Sequence, residues 1–215
     1  MSKKIVTMEE AVSQIKDGMT VFIGGFLGVG TPEKIIDALI EKNVKNLKVI
    51  GNDTGFPDKG IGRLICNNQV TKVIASHIGT NPETGNRMNS GELEVELCPQ
   101  GTLAERIRIG GNGLGGFLTP TGVNTIVEEG KQTMFVEGKK YILEKPLRAD
   151  IALINGSIVD EVGNVVYSKT TKNFNPMMAT AADKVIVYAE NLVKPGTIDP
   201  DHVMTSRIFV DYIVR

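Results

Sequence analysis

Four glycines, Gly24, Gly25, Gly28 and Gly30, lie between the apolar run Val21-Phe22-Ile23 and the pair Thr31-Pro32. A bend stripped of side chains lets a bulky, often anionic ligand approach the main chain and meet free N–H donors beside a helix start. Two nucleotide sites use that chemistry, and spacing tests both. A P-loop needs Lys and then Ser or Thr after its last glycine, whereas Thr31-Pro32 follows Gly30. Without a lysine to reach the β and γ phosphates, an ATP or GTP site is not expected. The dinucleotide fingerprint needs a third glycine at position 33, which is Glu33, and the glycines run in the reverse spacing. A tight turn that holds no ligand is the plain alternative.

Other reactive residue types are sparse. His77 and His202 are the imidazoles, neither with a second metal ligand at helical spacing, so no metal site is expected. Cys66 and Cys98 lack CxxC spacing and read as buried small hydrophobes. Glu94 and Glu96 alternate with Leu93, Val95 and Leu97, which makes the glutamates the solvent face of a strand. The bulk composition narrows the function classes further. A chain of 215 residues, 41% hydrophobic, can bury the core of one domain over 1–215. A formal net charge of -1, from 24 basic and 25 acidic residues, offers no field for nucleic acid or anionic membrane. No apolar run approaches the ~20 residues of a membrane span, and MSKKIVTMEE lacks the apolar segment of a signal peptide, so a cytoplasmic protein is expected.

The elements that must position the glycine bend alternate along the chain. Thr7 with Glu10 forms a capping box for a helix over Met8–Lys16. The β-branched and aromatic run Val21–Ile23 reads as a buried strand, followed by a helix from Pro32 to about Lys42 with Thr31 as its cap. Asn46–Gly51 and Val70–Ser76 read as further strands around a short helix over Gly60–Asn67. Thr80–Gly91 is polar and turn-rich and reads as a long loop. Thr102 with Glu105 opens a second capped helix that ends at the glycines of Gly110–Gly113. Thr133–Val136 and Tyr141–Leu143 read as a hairpin, Ile151–Val159 as a strand with an antiparallel return at Val165–Tyr167, Asn175–Ala182 as a short helix, Lys184–Glu190 as a strand, and Ile208–Val214 as one more. No internal repeat is apparent. The rhythm predicts an α/β fold: an open, mostly parallel sheet flanked by helices, with a small antiparallel hairpin region and ligands outside the carboxyl ends of the strands.

Several segments together resemble the alpha subunit of the family I coenzyme A transferases. Asp17-Gly18, Val21-Phe22-Ile23, Gly24-Gly25-Phe26 and Gly30-Thr31-Pro32 satisfy the family's N-terminal signature. Glu94-Val-Glu-Leu-Cys-Pro-Gln-Gly-Thr-Leu-Ala-Glu-Arg-Ile-Arg108 is similar to its most recognisable interior stretch. Gly110-Gly111, Thr119-Pro120-Thr121-Gly122 and Asn173-Phe174-Asn175-Pro176 extend the likeness over the chain, which within the family is most similar to acetate or butyrate:acetoacetate CoA-transferase alpha chains.

The resemblance implies a CoA-transferase/NagB-like fold and a ping-pong transfer of coenzyme A between a thioester and a free carboxylate. Coenzyme A is then substrate, and no cofactor is implied. The nucleophilic glutamate belongs to a Ser-Glu-Asn-Gly motif on a separate beta subunit, in an α2β2 or larger assembly. The nearest string here, Asn89-Ser90-Gly91-Glu92, has a different order, so Glu92 is not assigned that role. By itself Gln100 reads as a cap of the Thr102 helix; the resemblance makes its carboxamide the donor to the thioester oxyanion. It also makes Gly24, Gly25, Phe26, Leu27, Gly28, Val29 and Gly30 the CoA-binding segment, with Phe26 either against the pantetheine arm or turned into the core. Asn173 and Asn175 either orient groups near the site or, for Asn175, cap the helix at Pro176. Asn112 and Leu114-Gly-Gly116 sit where related chains often carry Ala and Pro near the acyl pocket, which leaves the acyl group open. The rival reading is a ligand-sensing or sugar-phosphate-binding module on a related open sheet.

Overall fold

The computed structural model describes residues 4–215. Its first half alternates helix and strand: α1 (Met8–Val12), β1 (Thr20–Ile23), α2 (Glu33–Lys42), β2 (Leu47–Ile50), α3 (Ile61–Cys66), β3 (Val70–Ala75), α4 (Pro82–Asn89), β4 (Glu94–Leu97) and α5 (Gln100–Gly111). The second half adds β5 (Phe117–Thr119), β6 (Thr133–Val136), β7 (Lys139–Glu144), β8 (Ala149–Gly156), β9 (Ile158–Asp160), β10 (Val165–Val166), α6 (Asn175–Thr180), β11 (Ala182–Ala189), β12 (Leu192–Val193) and β13 (Tyr212–Val214).

Seven strands form one sheet in the order β13-β11-β8-β1-β2-β3-β4, and every pairing in it is parallel. Each face is covered by helices, so central strands such as β1 and β8 carry apolar residues on both sides, whereas edge strand β4 alternates with Glu94 and Glu96. Val21 and Ile23 of β1 pack with Ile35 and Leu39 of α2, while Phe22 between them faces Leu103 and Ile107 of α5 and Met178 of α6. The chain leaves β1 toward β2 on one side and later returns to β8 on the other. The carboxyl ends of β1 and β8 are therefore a topological switch point, where loops diverge and leave a crevice.

Two small sheets stand beside the main one. β5, β7 and β6 form an antiparallel hairpin sheet, and β10, β9 and β12 a mixed one. The apolar run expected as one strand over Ile151–Val159 breaks at Ser157, beyond which β9 joins the second of these sheets.

Other expectations are corrected by local geometry. Thr80–Gly91 contains α4, because Asn81 accepts the Glu83 N–H at 3.2 Å and Pro82 supplies a pre-set first turn. α1 is shorter than Met8–Lys16, although its capping box is present. Thr31 does not cap α2; its hydroxyl fills the space beside Gly25, out of reach of the helix N–H groups. α5 starts at Gln100 rather than after Thr102, which is buried, while Glu105 turns to Arg108 at 2.6 Å. In β4, Glu94 is exposed but Glu96 is half-buried against Arg106 at 2.6 Å, and Leu97 is half-exposed on the sheet edge. Cys98 is buried, whereas Cys66 is exposed. Burial pushes the Cys98 thiol up, so it remains neutral. Among the described residues no cluster of His, Cys, Asp and Glu has metal-ligand geometry, and no helix is long and apolar enough to cross a membrane.

Candidate active site

The loop after β1 is a tight hairpin. Phe26 N–H donates to Val29 C=O at 3.0 Å and Val29 N–H returns to Phe26 C=O at 2.9 Å. The two central residues, Leu27 and Gly28, have φ of 48° and 83°, the combination a two-residue primed turn requires. Glycine tolerates that conformation; leucine does not without support, and such strain persists only where the surroundings enforce it. The support is Asp53, whose Oδ2 accepts the Leu27 N–H at 2.9 Å. Gly24 N–H bonds Leu153 C=O at 2.9 Å and Gly25 N–H bonds Asn173 Oδ1 at 3.2 Å. The uncommitted donors expected of a phosphate cradle are thus mostly committed internally; within the described residues Gly28 and Gly30 are the loop amides that donate to nothing. The side chains instead present an apolar rim: Phe26, Leu27 and Val29 are 41%, 36% and 45% exposed, so Phe26 is not a core residue.

The loop after β2 repeats the outline of this hairpin but not its turn, since Pro57 and Asp58 lack the positive φ of Leu27 and Gly28. Gly55-Phe56-Pro57-Asp58-Lys59-Gly60 matches Gly25-Phe26-Leu27-Gly28-Val29-Gly30 in its glycines and phenylalanine. Phe56 and Lys59 bridge as Phe26 and Val29 do, and Gly25, Gly30, Gly55 and Gly60 all have positive φ. This short repeat was not apparent from the sequence because the residues between its fixed points differ. The two hairpins face each other across a narrow cleft lined by Gly24, Gly25, Gly28, Asp53, Gly55 and Gly60.

Gln100 enters from the carboxyl end of β4 as the first residue of α5, with an exposed side chain. Its Nε2 donates to Asn52 Oδ1 at 2.7 Å, and Asn52 Nδ2 donates to Asp53 Oδ2 at 2.7 Å. Gly55 N–H completes the Asp53 shell at Oδ1, 2.8 Å away. Gln100 therefore belongs to the same hydrogen-bonded cluster as the glycine loop and does not cap α5.

On the opposite flank the loop is held by asparagines. Asn173 Nδ2 donates to Val29 C=O at 2.9 Å. Asn175, fully buried, donates to Gly30 C=O at 3.0 Å and Thr171 C=O at 2.9 Å and accepts the Asn155 N–H at 3.1 Å. It is not the cap of α6, a position held by Phe174. Gly24 has to be glycine here, since a Cβ would lie 1.9 Å from Asn175 Oδ1. Glu92 sits apart, exposed before β4 and so at the amino end of the sheet, 3.6 Å from Arg87 Nε. Asn52, Asp53, Asn155 and the second hairpin are the members that sequence reasoning missed; only the recurrence of Gly-Phe with a glycine four residues later could have signalled them.

A wholly parallel sheet with a glycine hairpin, an amide network and a glutamine gathered at its switch point defines an α/β ligand-transforming or ligand-binding class rather than a nucleotidase. The chain belongs to the coenzyme A transferase family, whose model, described as coenzyme A transferase, matches residues 5–215. It is 55% identical over 214 residues to an acetate CoA-transferase subunit alpha of Escherichia coli K12, covering 100% of this chain and 97% of the relative. It is 57% identical over 215 residues to an acetoacetyl-CoA:acetate/butyrate CoA transferase alpha subunit of Clostridium acetobutylicum, covering 100% and 99%. The fold is similar to that of an acyl-CoA transferase from Escherichia coli O157:H7 solved as a thioester complex with CoA, at TM-score 0.88 and 22% identity. That match covers 98% of this chain and 46% of the solved one, so this chain spans about half its length.

Proposed function

We propose that this chain is the alpha subunit of a hetero-oligomeric CoA-transferase that moves CoA between acetoacetyl-CoA, or another short acyl-CoA, and acetate or butyrate. The observation that carries the reading is the Gln100 carboxamide, exposed at the carboxyl end of β4 and hydrogen-bonded through Asn52 and Asp53 to the glycine hairpin. A neutral amide N–H fixed there can stabilise negative charge on a thioester oxygen without competing as a nucleophile. The committed carboxylate of Asp53 at the centre of the cluster favours a nucleophile on another chain. Asp53 has both oxygens occupied by N–H donors, and Glu190 accepts the Asn155 amide at 2.8 Å. The apolar rim of Phe26, Leu27 and Val29 suits the pantetheine arm, and a partner would complete the channel.

In the reaction a partner glutamate attacks the acyl-CoA carbonyl, releases the CoA thiolate and forms a mixed anhydride. The thiolate then attacks the enzyme-side carbonyl, expelling the first carboxylate and leaving a glutamyl-CoA thioester. A second carboxylate reverses both steps. Charge develops on a carbonyl oxygen in each, which is where Gln100 acts. The test is expression of this chain with and without a candidate beta subunit, assaying transfer from acetoacetyl-CoA to acetate or butyrate. Activity appears only with both chains; full activity from this chain alone would refute the subunit reading. Borohydride trapping places the modified glutamate on the partner, and modification at Glu92 or Glu190 overturns that assignment. In the assembled enzyme Gln100→Ala lowers kcat roughly 10²-fold, as loss of one oxyanion donor does.

A further inference from the structure

We infer that Asp53 is a positioning residue for transfer, setting through Asn52 the direction in which the Gln100 amide points and locking the strained hairpin to it. This rests on the oxyanion role proposed for Gln100. The argument is one of donor and acceptor types. An ionised carboxylate accepts hydrogen bonds and donates none. Asp53 Oδ2 therefore requires the Asn52 amino group on its side, 2.7 Å away, and excludes the rotated amide, which would set oxygen against oxygen. Asn52 Oδ1 must then face Gln100, and of the two ends of that carboxamide only the amino group can donate to it, at 2.7 Å. Each amide has two nearly isosteric orientations, and one carboxylate selects a single orientation for both. The second Nε2 hydrogen of Gln100 is left for the substrate. Rotated, Gln100 would present a carbonyl oxygen to a developing oxyanion and repel it.

Burial makes the selection strict. Asn52 and Asp53 are 2% and 5% exposed, so water does not substitute for a lost partner. The Ser76 hydroxyl, 2.7 Å from Asn52 C=O and 3.3 Å from Asn52 Oδ1, can donate to the same side-chain oxygen as Gln100. The same Asp53 oxygen holds the Leu27 N–H in a turn that leucine does not adopt unaided, so one carboxylate fixes both the hairpin and the donor.

A double-mutant cycle on the assembled enzyme tests this. Asp53→Ala should raise KM for acyl-CoA with or without Gln100, since the hairpin loosens in either case. It should lower kcat about tenfold where Gln100 is present and not further in a Gln100→Ala background. Asp53→Asn keeps one oxygen for Asn52 and should recover most of the kcat loss. Should Asp53→Ala fail to fold, Asn52→Leu leaves the Asp53–Leu27 bond in place and isolates the amide arm: kcat falls about tenfold at unchanged KM. An equal kcat loss in both backgrounds, or an unchanged kcat in Asp53→Ala or Asn52→Leu when Gln100→Ala is impaired, overturns the inference. Wild-type turnover in Gln100→Ala alone removes the oxyanion reading, and the inference with it.

Discussion

Gly24→Ala is the sharpest test of how the glycine hairpin is built. The added Cβ would lie 1.9 Å from Asn175 Oδ1 and 2.6 Å from its Cγ, and no side chain accommodates that approach without moving. Asn175 cannot move freely: it is fully buried and bonded to Asn155 N–H, Gly30 C=O and Thr171 C=O. Displacing it breaks three buried hydrogen bonds, each with a net worth of about 1 kcal/mol, so the loss is ~3 kcal/mol. For a chain of this size that lowers Tm by roughly 6–12 °C. Thermal and urea unfolding of Gly24→Ala, Asn175→Ala and the double variant measure it. Because Asn175→Ala removes the obstructing amide, adding Gly24→Ala to it should cost less than about 1 kcal/mol. A Tm within about 2 °C of wild type for Gly24→Ala, or the full loss repeated in the double variant, would refute the clamp described here.

Arg106 is buried between Glu96 at 2.6 Å and Glu144 at 3.7 Å; because Glu144 keeps Lys131 at 2.6 Å, Arg106→Ala should destabilise the chain by about 1.5–3 kcal/mol in urea titration, the worth of its charged hydrogen bonds. Arg106→Lys, which loses the fork geometry, should recover only part of it. Burial holds the Tyr167 phenol above the usual 10.0, with its hydroxyl 2.9 Å from Thr205 Oγ1. A raised folded value means that the native state keeps its proton after the unfolded chain has lost it, so this stability is complete below pH 10.0 and declines as pH rises from there. Above that pH the wild type should lose stability up to about 1.4 kcal/mol per pH unit faster than Tyr167→Phe; parallel curves would contradict it. At neutral pH Tyr167→Phe should cost about 1 kcal/mol, seen as a lower urea midpoint.

Sequence patterns gave good guidance wherever burial dominates. β1, β2, β3, β8 and β11 are apolar on both faces, and a run such as Val21–Ile23 leaves little alternative. Signals failed where one side chain had competing partners. Thr31 and Thr102 both stand where a cap belongs, but packing claimed them, and α5 gained an earlier turn at Gln100 because Pro99 already sets the entry angle. α4 was hidden by its polarity: Thr84 and Arg87 are its buried residues, and neither marks an apolar stripe. At the site, the resemblance picked out the glycine loop and Gln100, and both fall at the same end of the sheet. It did not single out the residues between them. Asn52 and Asp53 are ordinary turn types in the sequence, and their importance arises from hydrogen bonds to residues distant along the chain. Asn175, which the sequence leaves open between a role near the site and a helix cap, packs against Gly24, far upstream.

The frame around the glycine hairpin is built mainly from carboxamides: Asn52 and Gln100 on one flank, Asn173 and Asn175 on the other. Amides neither gain nor lose protons in the range where carboxylic acids and thiols titrate. Most of the frame therefore keeps the same donors and acceptors as acidity changes. The exception is Asp53, the carboxylate bonded to both Asn52 and Leu27, so a response of the hairpin and the Gln100 arm to protons passes through that one residue.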